Sequence, residues 1–249
     1  MNFAITLKII ASLLAIYLLI VLYVYVKQRS LLYLPNIDNY EDENLNVAAE
    51  NIYIKNTDNI NLRSLYYEHP ANTKNTLLMF HGNAGPIENR FYKINKLSKY
   101  KQNILLISWR SYSGNEGNPT EEGLYDDARS AIKWLEDKGI NINDIIIYGE
   151  SLGTAVSIEV AQKASFKGII LEAPFTSMIE AAKYHYPYLP VGIMLKDKYL
   201  SDQKIKNINS PILIMHAMGD DIVPFRMGKT IFNLANEPKY NYFIDEDKH

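Results

Sequence analysis

The sequence contains no cysteine. Disulfides, a cysteine nucleophile and thiolate metal sites are excluded, although the compartment is not thereby identified. It also has almost no excess charge. Its 26 basic and 28 acidic side chains leave a net charge of -2 without a basic stripe, so nucleic acid is not an expected partner. No H-E-x-x-H motif or clustered His/Asp set occurs, and no metal is expected. The run His81-Gly82-Asn83-Ala84-Gly85 fails the glycine pattern of dinucleotide sites, so no cofactor is required. Internal repeats and low-complexity tracts are also missing.

What the chain does have is unevenly spread. Its 249 residues suffice for one sizeable core and one catalytic domain. Ile9 to Val26 carries no formal charge and is rich in Ile, Leu, Val and Tyr. As a helix it extends about 27 Å, close to the ~30 Å of a bilayer's hydrocarbon. Lys8 can snorkel, and Tyr23 and Tyr25 suit an interface. A buried core helix and a cleaved signal peptide are the competing readings. The length of the run and the lack of an A-x-A site disfavour the second. The expectation is a single uncleaved span in a bacterial inner membrane. The α-amine and Lys8 balance Lys27 and Arg29, so charge does not assign the side of the catalytic domain. The expected organisation is an anchor over 1–29, a tether over 30–50 and a catalytic domain over 51–249.

From Ile52 onward the patterns alternate between strand and helix. Strands are predicted at Ile52 to Ile54, Leu62 to Tyr67, Thr76 to Phe80, Asn103 to Ile107, Ile145 to Tyr148, Phe166 to Leu171, Ile212 to Met215 and Tyr240 to Ile244. Helices are predicted over 87–100, Glu121 to Lys138 and Thr154 to Ala164. The first two strands suit an antiparallel edge. The rest predict a mostly parallel sheet with helices on both faces. A longer stretch near 175–209, rich in Tyr, Pro and aliphatic residues, reads either as packing between helices or as a small cap that walls an acyl site.

The most telling segment is Ile145-Ile146-Ile147-Tyr148-Gly149-Glu150-Ser151-Leu152-Gly153. An apolar strand runs through G-x-S-x-G into a helix, which is the nucleophile elbow. Ser151 is the candidate nucleophile. A serine needs a base, and His249 follows the final strand. An acid follows the strand Ile212 to Met215, as Asp220 or its neighbour Asp221. The backbone N–H groups of Asn83 and Leu152 are the expected oxyanion donors, with Ala84 the alternative to Asn83. His81 is expected to position this loop and border the substrate. Tyr184, Tyr188 and Met194 are the further substrate-contact candidates.

Five motifs in order resemble the alpha/beta-hydrolase superfamily, especially its Bem46-like, ABHD13- and ABHD17-like branch. They are His81 to Gly85; Arg110-Ser111-Tyr112-Ser113-Gly114 with Glu116-Gly117; Gly149 to Gly153; Pro174-Phe175-Thr176-Ser177; and His216 through Asp220 to Val223-Pro224. The likeness runs from about Asn51 to His249. It implies the alpha/beta-hydrolase fold, with Ser151 as nucleophile, Asp220 rather than Asp221 as acid, His249 as base, and Asn83 and Leu152 as oxyanion donors. It also implies an N-terminal anchor, and some eukaryotic members of the branch remove palmitate from protein cysteines. The sequence departs from that pattern at Ser108, Ser111 and Glu150, and in the Glu246-Asp247-Lys248 that precedes His249. The expected activity is therefore hydrolysis of an ester or thioester of a lipid-like or acylated small molecule or protein, through an acyl-enzyme. An amidase or peptidase, or a membrane-tethered binding protein on the same scaffold, are the alternatives.

Overall fold

The computed structural model describes residues 3–35 and 44–246. Helix α1 (Phe3–Leu32) opens the chain. The strands are β1 (Ala49–Lys55), β2 (Asn61–Tyr67), β3 (Thr76–Phe80), β4 (Asn103–Ile107), β5 (Ile145–Glu150), β6 (Gly168–Glu172), β7 (Ile212–Ala217) and β8 (Lys239–Ile244). Between them lie α2 (Phe91–Leu97), α3 (Glu121–Asp137), α4 (Leu152–Ala161), α5 (Met178–His185), α6 (Val191–Met194), α7 (Ser201–Lys204) and α8 (Phe225–Leu234).

The strands form one sheet in the order β1-β2-β4-β3-β5-β6-β7-β8. β1 and β2 are antiparallel, β2 is antiparallel to β4, and every later pairing is parallel. This is the expected antiparallel edge on a parallel sheet covered by helices. β3 and β4 are fully buried along their length, as their unbroken apolar runs require. Leu78, Phe80, Leu105, Ile107, Ile145 and Ile147 face one core with α3 and α4. Leu77, Met79, Ile104, Leu106 and Tyr148 face a second with α2.

The chain order reverses at β3, which has β4 on one side and β5 on the other. At such a switch point the loops leave in opposite directions and open a crevice at the carboxyl ends of the strands. Phe80 pairs with Gly149, so the segment after β3 lies beside the segment after β5.

α1 is long and apolar enough to cross a membrane, and no residue of its apolar span is fully buried, although Val24 is half-buried. It differs from the expected anchor at its far end, continuing past 29 to Leu32. Its one buried side chain is the polar Gln28, which donates to the Met194 carbonyl (3.1 Å) and accepts from the Lys196 amide (2.8 Å). Beside it Arg29 makes two hydrogen bonds to Asp197 (2.8 and 3.0 Å). The helix end is therefore seated on the 175–209 segment. A parallel bridge then joins Leu34 to Ala84. The remaining expected tether falls partly on residues 36–43, outside the described residues.

Candidate active site

Ser151 occupies the turn between β5 and α4 at φ 49°, ψ -113°. A non-glycine residue pays about 1–3 kcal/mol for so sparsely populated a conformation, and the surrounding structure must hold it there. Two glycines make the turn sterically feasible. A Cβ on Gly153 would lie 2.0 Å from the Phe80 carbonyl oxygen, and one on Gly149 would lie 2.6 Å from the Gly153 carbonyl oxygen. The Ser151 amide donates to the Glu172 carbonyl (2.9 Å), which fixes the turn to the neighbouring strand.

Asn83, after β3, lines the same cavity as Ser151 and Leu152. Its carbonyl accepts from the Leu34 amide (2.9 Å) and the Tyr112 hydroxyl (2.8 Å), and its side-chain amide donates to the Leu32 carbonyl (2.8 Å). These contacts commit the carbonyl and side chain of Asn83 and leave its amide N–H without a backbone acceptor among the described residues. Leu152 is the first residue of α4, where an amide has no intrahelical partner. Asn83, Ser151 and Leu152 thus border one cavity.

His81 is buried among Trp109 and Tyr112. Its Nδ1 hydrogen bonds the Gly82 carbonyl (2.7 Å), while its Nε2 accepts from the Trp109 amide (3.4 Å). Burial first, and then the Arg90 charge, lower its pKa to about 3. The ring is neutral at ordinary pH, holds the loop in place and does not line the cavity. Tyr112 belongs to the Arg110-to-Gly114 motif. That motif is held by Arg110, which donates to Asp127 and Asp58, and it turns through positive φ at Ser111 (74°) and Ser113 (52°).

Beneath the elbow lies a charged cluster. Glu150 accepts from Arg90 (2.7 Å) and Lys93 (2.7 Å), and Lys93 also bonds Glu172 and Tyr148. Burial alone would raise the Glu150 pKa. The Arg90 and Lys93 charges and their hydrogen bonds outweigh it and hold the carboxyl well below the usual range. Arg90 also donates to the Ala84 carbonyl (2.8 Å), so one guanidinium ties the loop after β3 to the residue preceding Ser151. This brace comes from Glu150, one of the departures from the family pattern.

Asp220 follows β7 and is buried, whereas Asp221 is exposed. Its Oδ1 accepts from the amides of Ile222 (2.9 Å) and Val223 (2.8 Å), and its Oδ2 lies 3.3 Å from His216 Nε2. His216 also hydrogen bonds the Val223 carbonyl (2.8 Å) and is covered by α8 at Gly228, where a Cβ would sit 2.1 Å from Nδ1. The strand that precedes His249 is laced to this turn. Met218 donates to the Ile244 carbonyl (2.8 Å) and Gly219 to the Glu246 carbonyl (2.9 Å). His249 itself lies outside the described residues.

The cavity has a volume of about 430 Å³. Phe175 of the Pro174-to-Ser177 motif, Met178 and Ala181 of α5, Tyr188, Val191 and Val223 contribute to its wall. Of the four expected substrate contacts, Tyr188 lines it, while His81, Tyr184 and Met194 do not. Met194 is turned inward and engaged through its carbonyl by Gln28, and Tyr184 is exposed beside Arg226. His185, not among the expected substrate contacts, also lines the cavity and hydrogen bonds the Ile222 carbonyl (2.8 Å). Sequence reasoning missed α1, which contributes Ile20, Val24, Gln28, Leu31 and Leu32. The stripe i, i+4, i+8 was a readable signal for α1, but a helix taken to face lipid offered no reason to look for a site on it.

Several known proteins are similar to this chain. The model of the prolyl oligopeptidase family matches residues 117–244, and that of the Chlamydia CHLPS protein family matches residues 5–169. The uncharacterized protein Rv2307c of Mycobacterium tuberculosis is 31% identical over 88% of this chain and 79% of its own length. The lysophosphatidylserine lipase ABHD12 of Danio rerio is 32% identical over 71% of this chain, which spans 50% of that lipase. Among solved structures, a Pyrococcus furiosus esterase, Pf2001, superposes with a TM-score of 0.70 at 15% identity, covering 86% of this chain and 87% of the esterase. The elbow at Ser151, the sheet order and these relatives converge: the chain belongs to the alpha/beta-hydrolase superfamily of serine hydrolases, related to its esterase, lipase and peptidase branches.

Proposed function

We propose that the protein is a membrane-anchored serine hydrolase that cleaves a carboxylic ester or thioester of a lipid-like or acylated substrate. The observation that carries this reading is Ser151, held at a strained elbow in a cavity it shares with Asn83 and Leu152. His249 removes the Ser151 proton as Oγ attacks the carbonyl carbon. The Asn83 and Leu152 N–H groups stabilise the oxyanion. The C–O or C–S bond breaks, and the alcohol or thiol leaves with the proton from His249. Water, activated by the same imidazole, then releases the acid and restores Ser151.

Asp220 orients the base. Its Oδ1 accepts from two amides, which fix the orientation of the carboxyl group. Glu246 is bonded to Gly219, next to Asp220, and His249 follows three positions later. α1 serves as the anchor, in keeping with its long, largely exposed apolar span. A lipid or acyl substrate follows from the apolar cavity and from the likeness to a lysophosphatidylserine lipase. The order of motifs favours the Bem46-like branch. The match to the prolyl oligopeptidase model supports a second reading, an amidase or peptidase working through the same residues.

Fluorophosphonate labelling of the full-length protein in detergent tests the reading. Ser151 should be labelled, the Ser151→Ala variant should not, and p-nitrophenyl esters should turn over faster than the corresponding anilides. A folded wild-type protein that takes no label would reduce the fold to a binding scaffold. Faster cleavage of anilides would favour the peptidase.

A further inference from the structure

The five cavity residues contributed by α1 form one stripe of the helix. Ile20 and Val24 lie in the charge-free run between Lys8 and Lys27, the part that a bilayer would surround, whereas Gln28, Leu31 and Leu32 lie beside the catalytic domain. A single cavity is therefore bordered both by Ser151 and by side chains at membrane depth. From Leu32 to Ile20 the helix axis covers about 18 Å.

The opposite wall includes Met178, Tyr186, Tyr188 and Leu189. The Tyr17 hydroxyl donates to the Tyr188 carbonyl (2.9 Å), so helix and cap are tied together near the outer end of this wall. Gln28 and the Arg29–Asp197 pair tie them together again on the domain side. The cap's outer surface exposes Tyr184, Tyr186, Tyr188 and Ile193, the last by 87%. Tyrosines flanking an apolar span suit the headgroup layer, where the ring is shielded and the hydroxyl stays wet. With α1 as the anchor, helix and cap together would bring the outer end of the cavity to one leaflet.

We propose that this cavity is an acyl-chain port. One extended acyl chain of a membrane lipid ester enters it from the leaflet, between Ile20 and Val24 of α1 and the Tyr186–Leu189 turn, and presents its carbonyl to Ser151. The anchor helix is then a wall of the substrate site as well as a tether. The volume of about 430 Å³ lies within the ~300–1,000 Å³ usual for small-molecule sites. The proposal rests on the serine-hydrolase reading and specifies its substrate as a lipid drawn laterally from the bilayer.

The test uses full-length protein in phosphatidylcholine vesicles and compares kcat/KM for p-nitrophenyl palmitate and p-nitrophenyl acetate. Ile20→Trp and Val24→Trp fill the port. Denying burial to about two methylenes should lower the palmitate-to-acetate ratio about ten-fold. Leu22→Trp, on the lipid-facing side of the same helix, should leave the ratio unchanged. An unaltered ratio in both port variants overturns the proposal, whether or not the absolute rates fall. A wild-type enzyme that cleaves acetate but not palmitate also overturns it. Loss of fluorophosphonate labelling at wild-type Ser151 would instead remove the hydrolase reading beneath it.

Discussion

Replacing Glu150 by glutamine keeps the shape of the side chain but removes the charge that Arg90 and Lys93 share. Both cations are largely buried, with side chains 4% and 10% exposed, so neither can recover its hydration. Removing one partner of a buried ion pair destabilises by about 3–5 kcal/mol. Here the lower end applies, because the glutamine carbonyl still accepts from Arg90 and because Glu172 still faces Lys93. At ~2–4 °C per kcal/mol for a chain of this size, a loss of about 3 kcal/mol lowers Tm by about 6–12 °C. The assay is thermal unfolding of the detergent-solubilised protein, followed by near-ultraviolet circular dichroism at pH 7.5. The pH dependence supplies a second arm. The folded pKa of Glu150 is depressed, so its contribution is complete above the unfolded value of 4.5 and is lost as pH falls from there toward the folded value. The gap between wild type and variant must therefore narrow below about pH 4.5. A Tm difference under about 3 °C at neutral pH, or a gap that widens in acid, would refute the assignment of this cluster as the brace beneath the elbow.

His81, buried and neutral with a pKa of about 3, contributes stability that is complete above its unfolded value of 6.5 and is lost as pH falls toward the folded one. His81→Gln should flatten the Tm-versus-pH curve between about pH 6.5 and 4.5, where Glu150 has not begun to titrate; an unchanged slope counts against this. His249→Ala should lower kcat by about 10³-fold or more, in line with loss of a triad base, whereas His185→Ala should change it by less than about ten-fold, as measured by p-nitrophenyl acetate turnover. The reverse order would move the base to the cavity-lining histidine of α5. Gly153→Ala should abolish fluorophosphonate labelling and lower Tm together, because its Cβ would overlap the Phe80 carbonyl at 2.0 Å; wild-type labelling in that variant would show that the elbow can relax.

Much of the scaffold was legible because local pattern and tertiary role coincide. Thr76–Phe80 and Asn103–Ile107 are strands at their expected limits, since both are short apolar runs enclosed on two faces. The elbow was legible for a different reason: close approach of two backbones demands glycine at 149 and 153. α8 escaped notice because glycine inside a helix lowers propensity, and only the three-dimensional neighbour, His216 against Gly228, explains why glycine is there. The end of α1 is not legible from local pattern: the helix runs three residues past position 29, where Arg29 is engaged by Asp197 far along the chain. The cavity wall was the least legible part. Periodicity cannot say which side of a four-residue helix such as α6 turns inward, and Met194 faces the core while Tyr188 borders the cavity.

The short seam between the end of α1 and the loop after β3 has a practical consequence for anyone preparing a water-soluble form. Trimming the chain just beyond Leu34 would remove the Leu32 carbonyl that receives the Asn83 side chain, the Leu34 amide on the Asn83 carbonyl, and the Leu34 carbonyl that accepts from Gly85. Poor turnover by such a fragment would then report a loosened loop after β3 as much as a missing lipid surface. A cut placed upstream of Gln28 spares all three bonds, and is the fair comparison.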